Sequence, residues 1–320
     1  MDGGIGTARL SFERGEVAMA NLLVIGSLNM DIVVQVEHIP VPGETVLGKS
    51  LQRVCGGKGA NQAYTCGKLG GNVEMLGSVG RDGNGDALLE NLRSVGVKTD
   101  FLQRTQVGTG LALIEVEASG NNSIVVAQGA NLCTDAAYIE ANRTRIEAAD
   151  ALVMQLEIPI EAVTLAAKIA KAAGKLVVLD PAPAAPLPDE LCCNVDIIKP
   201  NESELSVLTG LSVRSPEEAE IAACVLLDRG IGTVVVTLGE EGAVVVSGER
   251  AVHYPGKPAD AIDTTAAGDS FTAAMAMLLA QKYSLDEAVN FAISVSALVV
   301  TKAGAQSSIP SAEQVANMLP

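Results

Sequence analysis

At 320 residues, the chain can bury a sizeable hydrophobic core, and it fits either one large α/β domain or two ordinary domains. Its 22 lysines and arginines stand against 38 aspartates and glutamates, a formal net charge of −16 that is spread along the chain. This charge argues against nucleic acid or an anionic membrane as a partner, so any anionic ligand must be held by local groups. No uninterrupted apolar run approaches the roughly 20 residues that span a bilayer.

The cysteines and histidines give no sign of a metal site. The six cysteines form no C-x-x-C pair, and neither His38 nor His253 has metal-ligand spacing around it, which argues against zinc. With no visible signal peptide, we expect reduced thiols and a cytoplasmic protein. Residues 1–20 resemble neither a secretory nor a clearly amphipathic transit segment, and we expect a disordered or non-native extension there, with Met19 as a candidate start.

From Asn21 onward, short apolar runs alternate with longer helical patterns. These patterns predict buried strands at residues 22–25, 73–76, 151–154, 176–179, 195–198, 234–236 and 243–246. They predict helices at residues 60–69, 84–95, 135–148, 160–173, 202–208, 216–228, 267–280 and 285–302. The alternation indicates βαβ units, and therefore an α/β fold with a central, mainly parallel sheet and helices on both faces.

Two regions break the alternation. Residues 31–54 and 99–128 are strand-like without intervening helices, and the second contains two strand patterns, 110–116 and 123–126, around a hairpin signal at 119–122. Together they predict a small β-sheet over the ends of the main sheet, in a position to act as a lid. Since no long linker separates the regions, we expect residues 21–320 to form one folding unit.

Residues 43–50, GETVLGKS, match the P-loop pattern G-x-x-x-x-G-K-[ST] literally. A P-loop needs a buried strand before it and a helix after it. Here the preceding residues are HIPVP and the following ones are LQRVCGG. We therefore reject a P-loop.

The central stretch is residues 261–271, AIDTTAAGDSF, which place Asp263 and Asp269 around small residues directly before a strong helix pattern. The first N–H groups of a helix have no intrahelical partner, and the helix dipole adds positive potential, so a phosphate binds well there. A carboxylate at the same point suits a base that takes a proton from the group attacking the phosphate. The alternative is an ordinary helix-capping acid.

Further motifs lie where parallel sheets gather ligands, beyond the carboxyl ends of strands. Residues 56–63, GGKGANQA, either bind a polyhydroxylated ligand through Asn61 or only turn the chain into a helix. Asn29 and Asp31 are placed to bind hydroxyl groups or to form a turn. Glu157 follows the strand at 151–154.

Three more motifs have both a structural and a functional interpretation. Asn201 and Glu204 form a plausible helix-capping pattern or organise phosphate and magnesium. Residues 237–242, TLGEEG, form a hairpin turn or a nucleotide-binding loop. Residues 302–308 end the last long helix, and their carbonyl groups together with Asp263 could surround a monovalent cation.

In their order and joint occurrence, these motifs resemble the ribokinase branch of the PfkB carbohydrate kinase family from about residue 21 to 310. Both signature regions of that family are present, at residues 56–80 and 263–275, and the GGKGANQ and GAQSS forms are similar to that branch. The resemblance implies a ribokinase-like fold and an ATP-dependent enzyme that phosphorylates D-ribose at O5. It also implies a need for Mg²⁺, stimulation by K⁺, and a homodimer built through the lid.

The resemblance implies roles for individual residues. Asp269 would be the general base, and the anion hole would come from Ala266, Ala267 and Gly268. The pentose would be held by Asn29, Asp31, Gly57, Lys58, Asn61, Glu157 and Asp269. ATP would be bound by Asn201, Thr237, Gly239, Gly242 and Gly268, with Glu204 acting on Mg²⁺ largely through water. K⁺ would be bound by Asp263 and Ser308 and by main-chain oxygens near Thr265, Val299, Lys302 and Gly304.

One residue departs from the family pattern, because Ile293 occupies a position near the adenine where relatives often carry a polar side chain. The nearest alternative function is another sugar or nucleoside kinase of the family, such as a deoxyribokinase or a fructokinase. A non-catalytic sugar sensor would have little use for Asp269. A dinucleotide dehydrogenase is disfavoured because no G-x-G-x-x-G follows the first strand.

Overall fold

The computed structural model describes residues 20–117, 119, 121–248 and 250–318, so the extension expected at residues 1–20 lies almost wholly outside the described residues. The strands are β1 (Asn21–Ile25), β2 (Asn29–Val36), β3 (Ser50–Gly56), β4 (Asn72–Leu76), β5 (Ser78–Gly80), β6 (Gln103–Thr105), β7 (Gly110–Glu117), β8 (Asn122–Ala127), β9 (Ala151–Met154), β10 (Leu176–Leu179), β11 (Ile197–Ile198), β12 (Thr233–Thr237), β13 (Ala243–Ser247) and β14 (Arg250–Tyr254).

The helices are α1 (Lys58–Lys68), α2 (Gly83–Ser94), α3 (Ala136–Ala141), α4 (Arg143–Ala148), α5 (Ile160–Ala172), α6 (Asp189–Cys192), α7 (Glu202–Thr209), α8 (Pro216–Asp228), α9 (Ala267–Ala280), α10 (Leu285–Val299) and α11 (Ala312–Ala316). Short 3₁₀ helices span Gly129–Cys133 and Gly239–Glu241. None of the helices within the described ranges is long and apolar enough to cross a membrane.

The main sheet has eight strands in the order β14-β13-β12-β11-β10-β9-β1-β4. The pairs from β4 to β12 are parallel, and β13 and β14 add antiparallel pairs at one edge. This confirms the predicted mainly parallel sheet. Because parallel strands all point the same way, the loops after β9, β10, β11 and β12 converge on one edge of the sheet.

Both faces of the main sheet are buried, as the continuous apolar runs predicted. Along β1, Leu22 and Val24 pack into the core that contains residues of α1, α9 and α10. Leu23 and Ile25 pack into the opposite core, with residues of α5 and α8. Side chains alternate between the two faces of a strand, so a strand covered by helices on both sides must be apolar throughout.

A separate four-stranded sheet, which we call the lid sheet, has the order β3-β2-β7-β8. It comes from the two regions in which the helix pattern was missing. β7 and β8 pair antiparallel, which confirms the predicted hairpin, and β2 pairs in parallel with β7. The rejected P-loop segment lies largely exposed between β2 and β3, with no helix after it.

Several predicted boundaries and elements were wrong. The helix expected at 135–148 is two helices, α3 and α4, which meet at Asn142, where φ is −107° and ψ is 13°. The last long helix ends at Val299 rather than at residue 302. The pattern also missed α6, α11, β5, β6 and β14. Most of these are short or partly exposed, so they carry little hydrophobic periodicity.

Candidate active site

A cavity of about 880 Å³ opens where strands β10, β11 and β12 end. Its wall includes Asp180 and Lys199, which directly follow β10 and β11, and Thr237 at the end of β12. Gly268 and Asp269, in the first turn of α9, form another part of the wall. A smaller cavity of about 360 Å³ lies at the amino ends of the strands, where Arg145 contacts Glu74 at 2.7 Å.

Asp269 is almost fully buried at the start of α9, with 7% of its surface exposed. One carboxylate oxygen, Oδ2, accepts a hydrogen bond from Asn61 Nδ2 at 2.8 Å. Burial raises the pKa of Asp269 above its ordinary value, although Lys58 acts in the opposite direction. A carboxylate with a raised pKa, placed on a cavity wall, is suited to accept a proton.

The loop before α9 leaves the helix start without a side-chain cap. Ala266 is the N-cap residue and has φ 62° and ψ 6°, a left-handed conformation that is uncommon for alanine. Ala267 N–H donates to Thr264 O at 3.2 Å. The N–H groups of Gly268 and Asp269 have no such bond within the described residues, so they are free to bind an anion at this end of the cavity.

A second group of acids lies beside the lid sheet. Asn29 and Asp31 are not in a turn, one of the alternatives left open, but two residues apart in β2, so they share a face. Burial raises the pKa of Asp31 to about 7, and the charges of Glu157 and Asp269 add to the rise. Glu157 Oε2 accepts hydrogen bonds from Ser27 Oγ and from Lys58 N at 3.2 Å.

Lys58 lines the cavity, and its backbone N–H is bonded to one of these acids, Glu157. Burial by itself lowers the pKa of Lys58, but the charges of Asp269, Asp180, Glu157 and Glu204 outweigh it and raise the pKa above its ordinary value. The lysine is therefore positively charged at neutral pH. It offsets part of the negative charge that the acids concentrate here.

Close packing at the start of α1 requires a glycine. Gly57 has φ 89°, and a Cβ on it would lie 2.6 Å from the backbone nitrogen of Asn29. A side chain at position 57 would therefore push β2 away from α1. The glycine keeps Asn29, Lys58 and Asn61 close together.

Asn29 is held by a residue that sequence reasoning did not identify. Its Oδ1 accepts a hydrogen bond from Asn131 Nδ2 at 2.7 Å, and Asn131 Oδ1 accepts one from Leu28 N at 2.9 Å. Asn131 is fully buried in the 3₁₀ helix Gly129–Cys133. No sequence pattern pointed to it, because the contact spans 102 residues.

On the other side of the cavity, the Asn201 motif forms the predicted helix cap, and its interpretation as a phosphate and magnesium site stays a prediction. Asn201 and Glu204 form a complete capping box at the start of α7, with bonds of 2.8 and 2.9 Å. Both residues also line the cavity, together with Thr237, Gly239 and Gly242. The segment around Gly239 joins the antiparallel strands β12 and β13, so the predicted hairpin exists and lies on the cavity wall. Ile293 lines the cavity as well.

The loop that contains Asp263 lies beside the cavity rather than on its wall. Asp263 Oδ1 accepts from Thr265 N at 2.9 Å and from Thr265 Oγ1 at 2.6 Å, and Oδ2 accepts from Gly304 N at 2.8 Å. Although burial opposes it, these bonds lower the pKa of Asp263. The carboxylate is therefore ionised, and it joins the loop before α9 to the loop after α10.

A chain of amide hydrogen bonds joins the loop after α10 to Asp269. Asn91 Nδ2 donates to Gln306 Oε1, Gln306 Nε2 donates to Asn61 Oδ1 at 3.0 Å, and Asn61 Nδ2 donates to Asp269. Gln306 is 4% exposed. This chain fixes the orientation of the Asn61 amide group, so that its NH₂ faces the carboxylate.

The structure thus brings most of the predicted residues into three adjacent groups. Asn29, Asp31, Gly57, Lys58, Asn61 and Glu157 lie on the lid side of Asp269. Asn201, Glu204, Thr237, Gly239, Gly242 and Gly268 line the cavity. Asp263, Thr265, Val299, Lys302, Gly304 and Ser308 lie outside the cavity wall. Asp269 stands between the first two groups, so a reacting atom from each side can meet there.

The sequence and the fold are similar to those of known proteins. Residues 19–312 match the model of the pfkB family carbohydrate kinases. The ribokinase of Haemophilus influenzae is 42% identical over 299 residues, 93% of this chain and 98% of the relative. The deoxyribokinase of Salmonella typhi is 36% identical over 296 residues, 92% of this chain and 97% of that protein.

A solved structure of Arabidopsis thaliana ribokinase complexed with ribose and ATP is similar to this chain, with a TM-score of 0.88 and 34% identity. The match covers 94% of this chain and 99% of the plant one. The family match and these relatives therefore define a carbohydrate kinase. The chain belongs to the pfkB family, as the motifs implied.

Proposed function

We propose that the protein transfers the γ-phosphoryl group of ATP to O5 of D-ribose and so forms D-ribose 5-phosphate. The observation that carries the proposal is the position of Asp269, a buried carboxylate at the open start of α9, with polar groups on one side and the cavity on the other. The relative named ribokinase and the ribokinase structure with ribose and ATP support the choice of substrates.

In the proposed reaction, Asp269 accepts the proton of the O5 hydroxyl group as that oxygen attacks the γ-phosphorus. The new O5–P bond forms while the bond from phosphorus to the oxygen of ADP breaks, and the proton stays on the carboxylate. The backbone N–H groups at the start of α9 stabilise the charge on the phosphoryl oxygens. Of the predicted anion-hole residues, Ala267 already uses its N–H group, whereas Ala266 and Gly268 have N–H groups without a backbone hydrogen bond within the described residues.

The lid-side residues are proposed to hold the sugar. Asp31 and Glu157 accept hydrogen bonds from sugar hydroxyl groups, and Asn29, Lys58 and Asn61 bind the remaining ones. Asn61 already donates to Asp269, so it aligns the base as well as the sugar. Gly57 allows the ring to approach the backbone.

ATP and magnesium fit the groups around the cavity. A volume of about 880 Å³ is within the range of small-molecule sites, and Thr237, Gly239 and Gly242 lie on its wall. One oxygen of Glu204 is held by the capping box, which leaves the other to act on Mg²⁺ through water. Bound Mg²⁺ supplies charge that offsets the phosphates.

The residues around Asp263 fit a potassium ion. The ion would be bound by oxygen ligands from Asp263, Ser308 and the main chain near Thr265, Val299, Lys302 and Gly304. The ionised Asp263 supplies the negative charge, and its bond to Gly304 N already brings the two loops together. The ion would then stabilise the loop that carries Ala266.

The lid sheet is proposed to close over the sugar and to pair with the lid sheet of a second copy. Leu51, Leu113, Ile124, Val125 and Val126 are exposed on it, and exposed apolar groups of this kind mark interaction surfaces. Light scattering should then give twice the chain mass. A monomer at assay concentration would contradict the dimer without affecting the catalytic proposal. The cytoplasmic location stays a prediction.

A panel of sugars distinguishes the candidate substrates. We expect kcat/KM with ATP to be highest for ribose. The identity to a deoxyribokinase makes 2-deoxyribose the competing substrate. The deoxy sugar differs from ribose only by the 2-hydroxyl group. Equal or better use of deoxyribose, fructose or a nucleoside would overturn the ribose assignment and leave the carbohydrate kinase class intact.

A further inference from the structure

A second lysine, Lys199, faces the cavity from the end of β11, and none of the roles above uses it. Its side chain is 4% exposed, and Nζ lies 3.2 Å from Oδ1 of Asp180, whose side chain is 1% exposed. Both residues line the 880 Å³ cavity. A buried ammonium group is costly unless negative charge surrounds it, so its position requires an explanation.

Asp180 is firmly held from the other side. Its Oδ2 accepts from Gln62 Nε2 at 3.0 Å and from Thr272 Oγ1 at 3.2 Å. Gln62 belongs to α1 and Thr272 to α9. The carboxylate is thus fixed between the two helices that carry the site, and it holds Lys199 in one place.

The ammonium group retains free donors. Among the described residues, Lys199 Nζ makes the ionic contact with Asp180 but no hydrogen bond. Since an ammonium group has three N–H donors, it can bind an additional acceptor. Lys199 lines the cavity, so an acceptor bound in the cavity is within reach of its ammonium group.

The position of Lys199 relative to α9 identifies that acceptor. A Cβ built on Gly268 would lie 3.2 Å from Lys199 Nζ, and no other described group outside its chain neighbours and the backbone of α9 comes within 4 Å of that point. The ammonium group therefore lies close to Gly268, whose N–H group has no backbone hydrogen bond within the described residues. An anion bound at the start of α9 would touch both groups.

We propose that Lys199 binds a non-bridging oxygen of the transferring phosphoryl group, and that Asp180 is its positioning residue. This inference rests on the proposed function and extends it. While the phosphorus exchanges its bond to ADP for a bond to the sugar oxygen, the sugar's proton goes to Asp269. Lys199 keeps its own protons and acts by charge alone. Lys58 would supply the positive charge on the sugar side and Lys199 on the nucleotide side.

Four variants test the inference: Lys199→Met, Asp180→Asn, the combination of both, and Lys168→Met. Lys168 is an exposed lysine paired with Glu190, so it controls for the loss of one positive charge. The combined variant leaves no unpaired buried charge and has the best prospect of folding. Only the variants that show a thermal unfolding transition, and are therefore folded, are assayed.

We expect Lys199→Met and the combined variant to lose about 10²- to 10³-fold in kcat, the effect of removing one donor from an oxyanion site. The kcat of Asp180→Asn should fall much less, because Lys199 remains. In the two variants that lack Lys199, binding of a non-hydrolysable ATP analogue should weaken about tenfold or more. Binding of ADP should change little. Lys168→Met should resemble the unaltered protein.

A purely structural ion pair gives the opposite pattern. The combined variant would then recover the activity that Lys199→Met loses, and the analogue and ADP would be affected alike. Either result overturns the inference. The nucleotide measurements need no sugar, so they test Lys199 even if ribose proves not to be the substrate. Absence of ribose turnover by the unaltered protein would instead contradict the proposed function.

Discussion

Opposing electrostatic effects act on the pKa of Asp269. Burial raises its pKa, and the charge of Asp180 adds to the rise, while Lys58, the Asn61 hydrogen bond and Lys199 lower it. The residue is thus kept close to the two cations that stabilise its ionised form. A general base needs this balance, because it must be ionised before reaction and protonated after it.

Replacing Asp269 by Asn should abolish most turnover. The amide is nearly the same size but cannot accept the proton, so we expect kcat to fall by about 10²- to 10⁴-fold. Binding of ribose and ATP, measured by calorimetry, should persist. A kcat close to normal would exclude Asp269 as the base.

Asp31 should make stability depend on pH. Its pKa rises from 3.8 in the unfolded chain to about 7 in the fold, so folding favours the protonated form. The contribution of Asp31 to the free energy of unfolding is fully present below pH 3.8 and is lost as the pH rises to about 7. The Asp31→Asn variant carries no charge and should escape this loss.

Melting temperatures of the two proteins at pH 5 and pH 8 measure the effect. The asparagine variant should gain stability relative to the unaltered protein as the pH rises from 5 to 8. The exposed acid Asp100 serves as the matched control, in the variant Asp100→Asn. An equal difference between variant and unaltered protein at both pH values would contradict the raised pKa.

Motif spacing pointed to most residues of the candidate site, but not to the side chains that hold them. Asn61 and Asp269 were both singled out, yet the bond between them joins residues 208 positions apart. Asn131, Gln306, Asp180 and Lys199 were given no role as individual side chains. Each acts through a long-range partner, and a single sequence does not show which distant residues meet.

At the scale of elements, the loop after α10 supports α1 and α9 together. Gln306 lies in this loop, and its amide joins Asn91 of α2 to Asn61 of α1. Through Asn61 the same chain reaches Asp269 of α9. The sequence predicted all three helices but assigned this loop only to the cation site.

Replacing Gln306 by Met should free the Asn61 amide to rotate. Asp269 would then lose a steady hydrogen bond that lowers its pKa, so the acid limb of the kcat profile should move to higher pH. The ribose KM should rise as well. A change in melting temperature with an unchanged pH profile of kcat would show that Gln306 has only a structural role. The control is Gln314→Met, which replaces a glutamine in the capping box of α11.

The predicted elements succeeded where hydrophobic periodicity was strong. α8 and α9 have the predicted boundaries, because each combines a clear start with a long run of helix-forming residues. The break at Asn142 was missed. There the side chain donates to Tyr138 O at 2.9 Å and is 9% exposed, so tertiary burial offsets the cost of interrupting a helix.

At the scale of the whole molecule, the candidate site is bordered by loops that are separated along the chain and meet in the fold. Asp263 contacts Gly304 across 41 residues, and the ion proposed there would hold both loops. Exchanging K⁺ for Na⁺ should therefore lower kcat, because the smaller ion fits the same oxygen ligands less well. Initial rates in the two chloride salts at equal ionic strength give the measurement, and indifference to the ion would contradict the cation site.

The sequence alone was sufficient for the α/β class, the parallel sheet, the lid sheet and the family. These features depend on local periodicity and on the order of short motifs, and both are properties of the linear sequence. The tertiary structure decided how those motifs act together: the link from Gln306 through Asn61 to Asp269, the pair of Asp180 and Lys199, and the pKa of Asp31. These depend on burial and on contacts between distant residues, which exist only once the chain has folded.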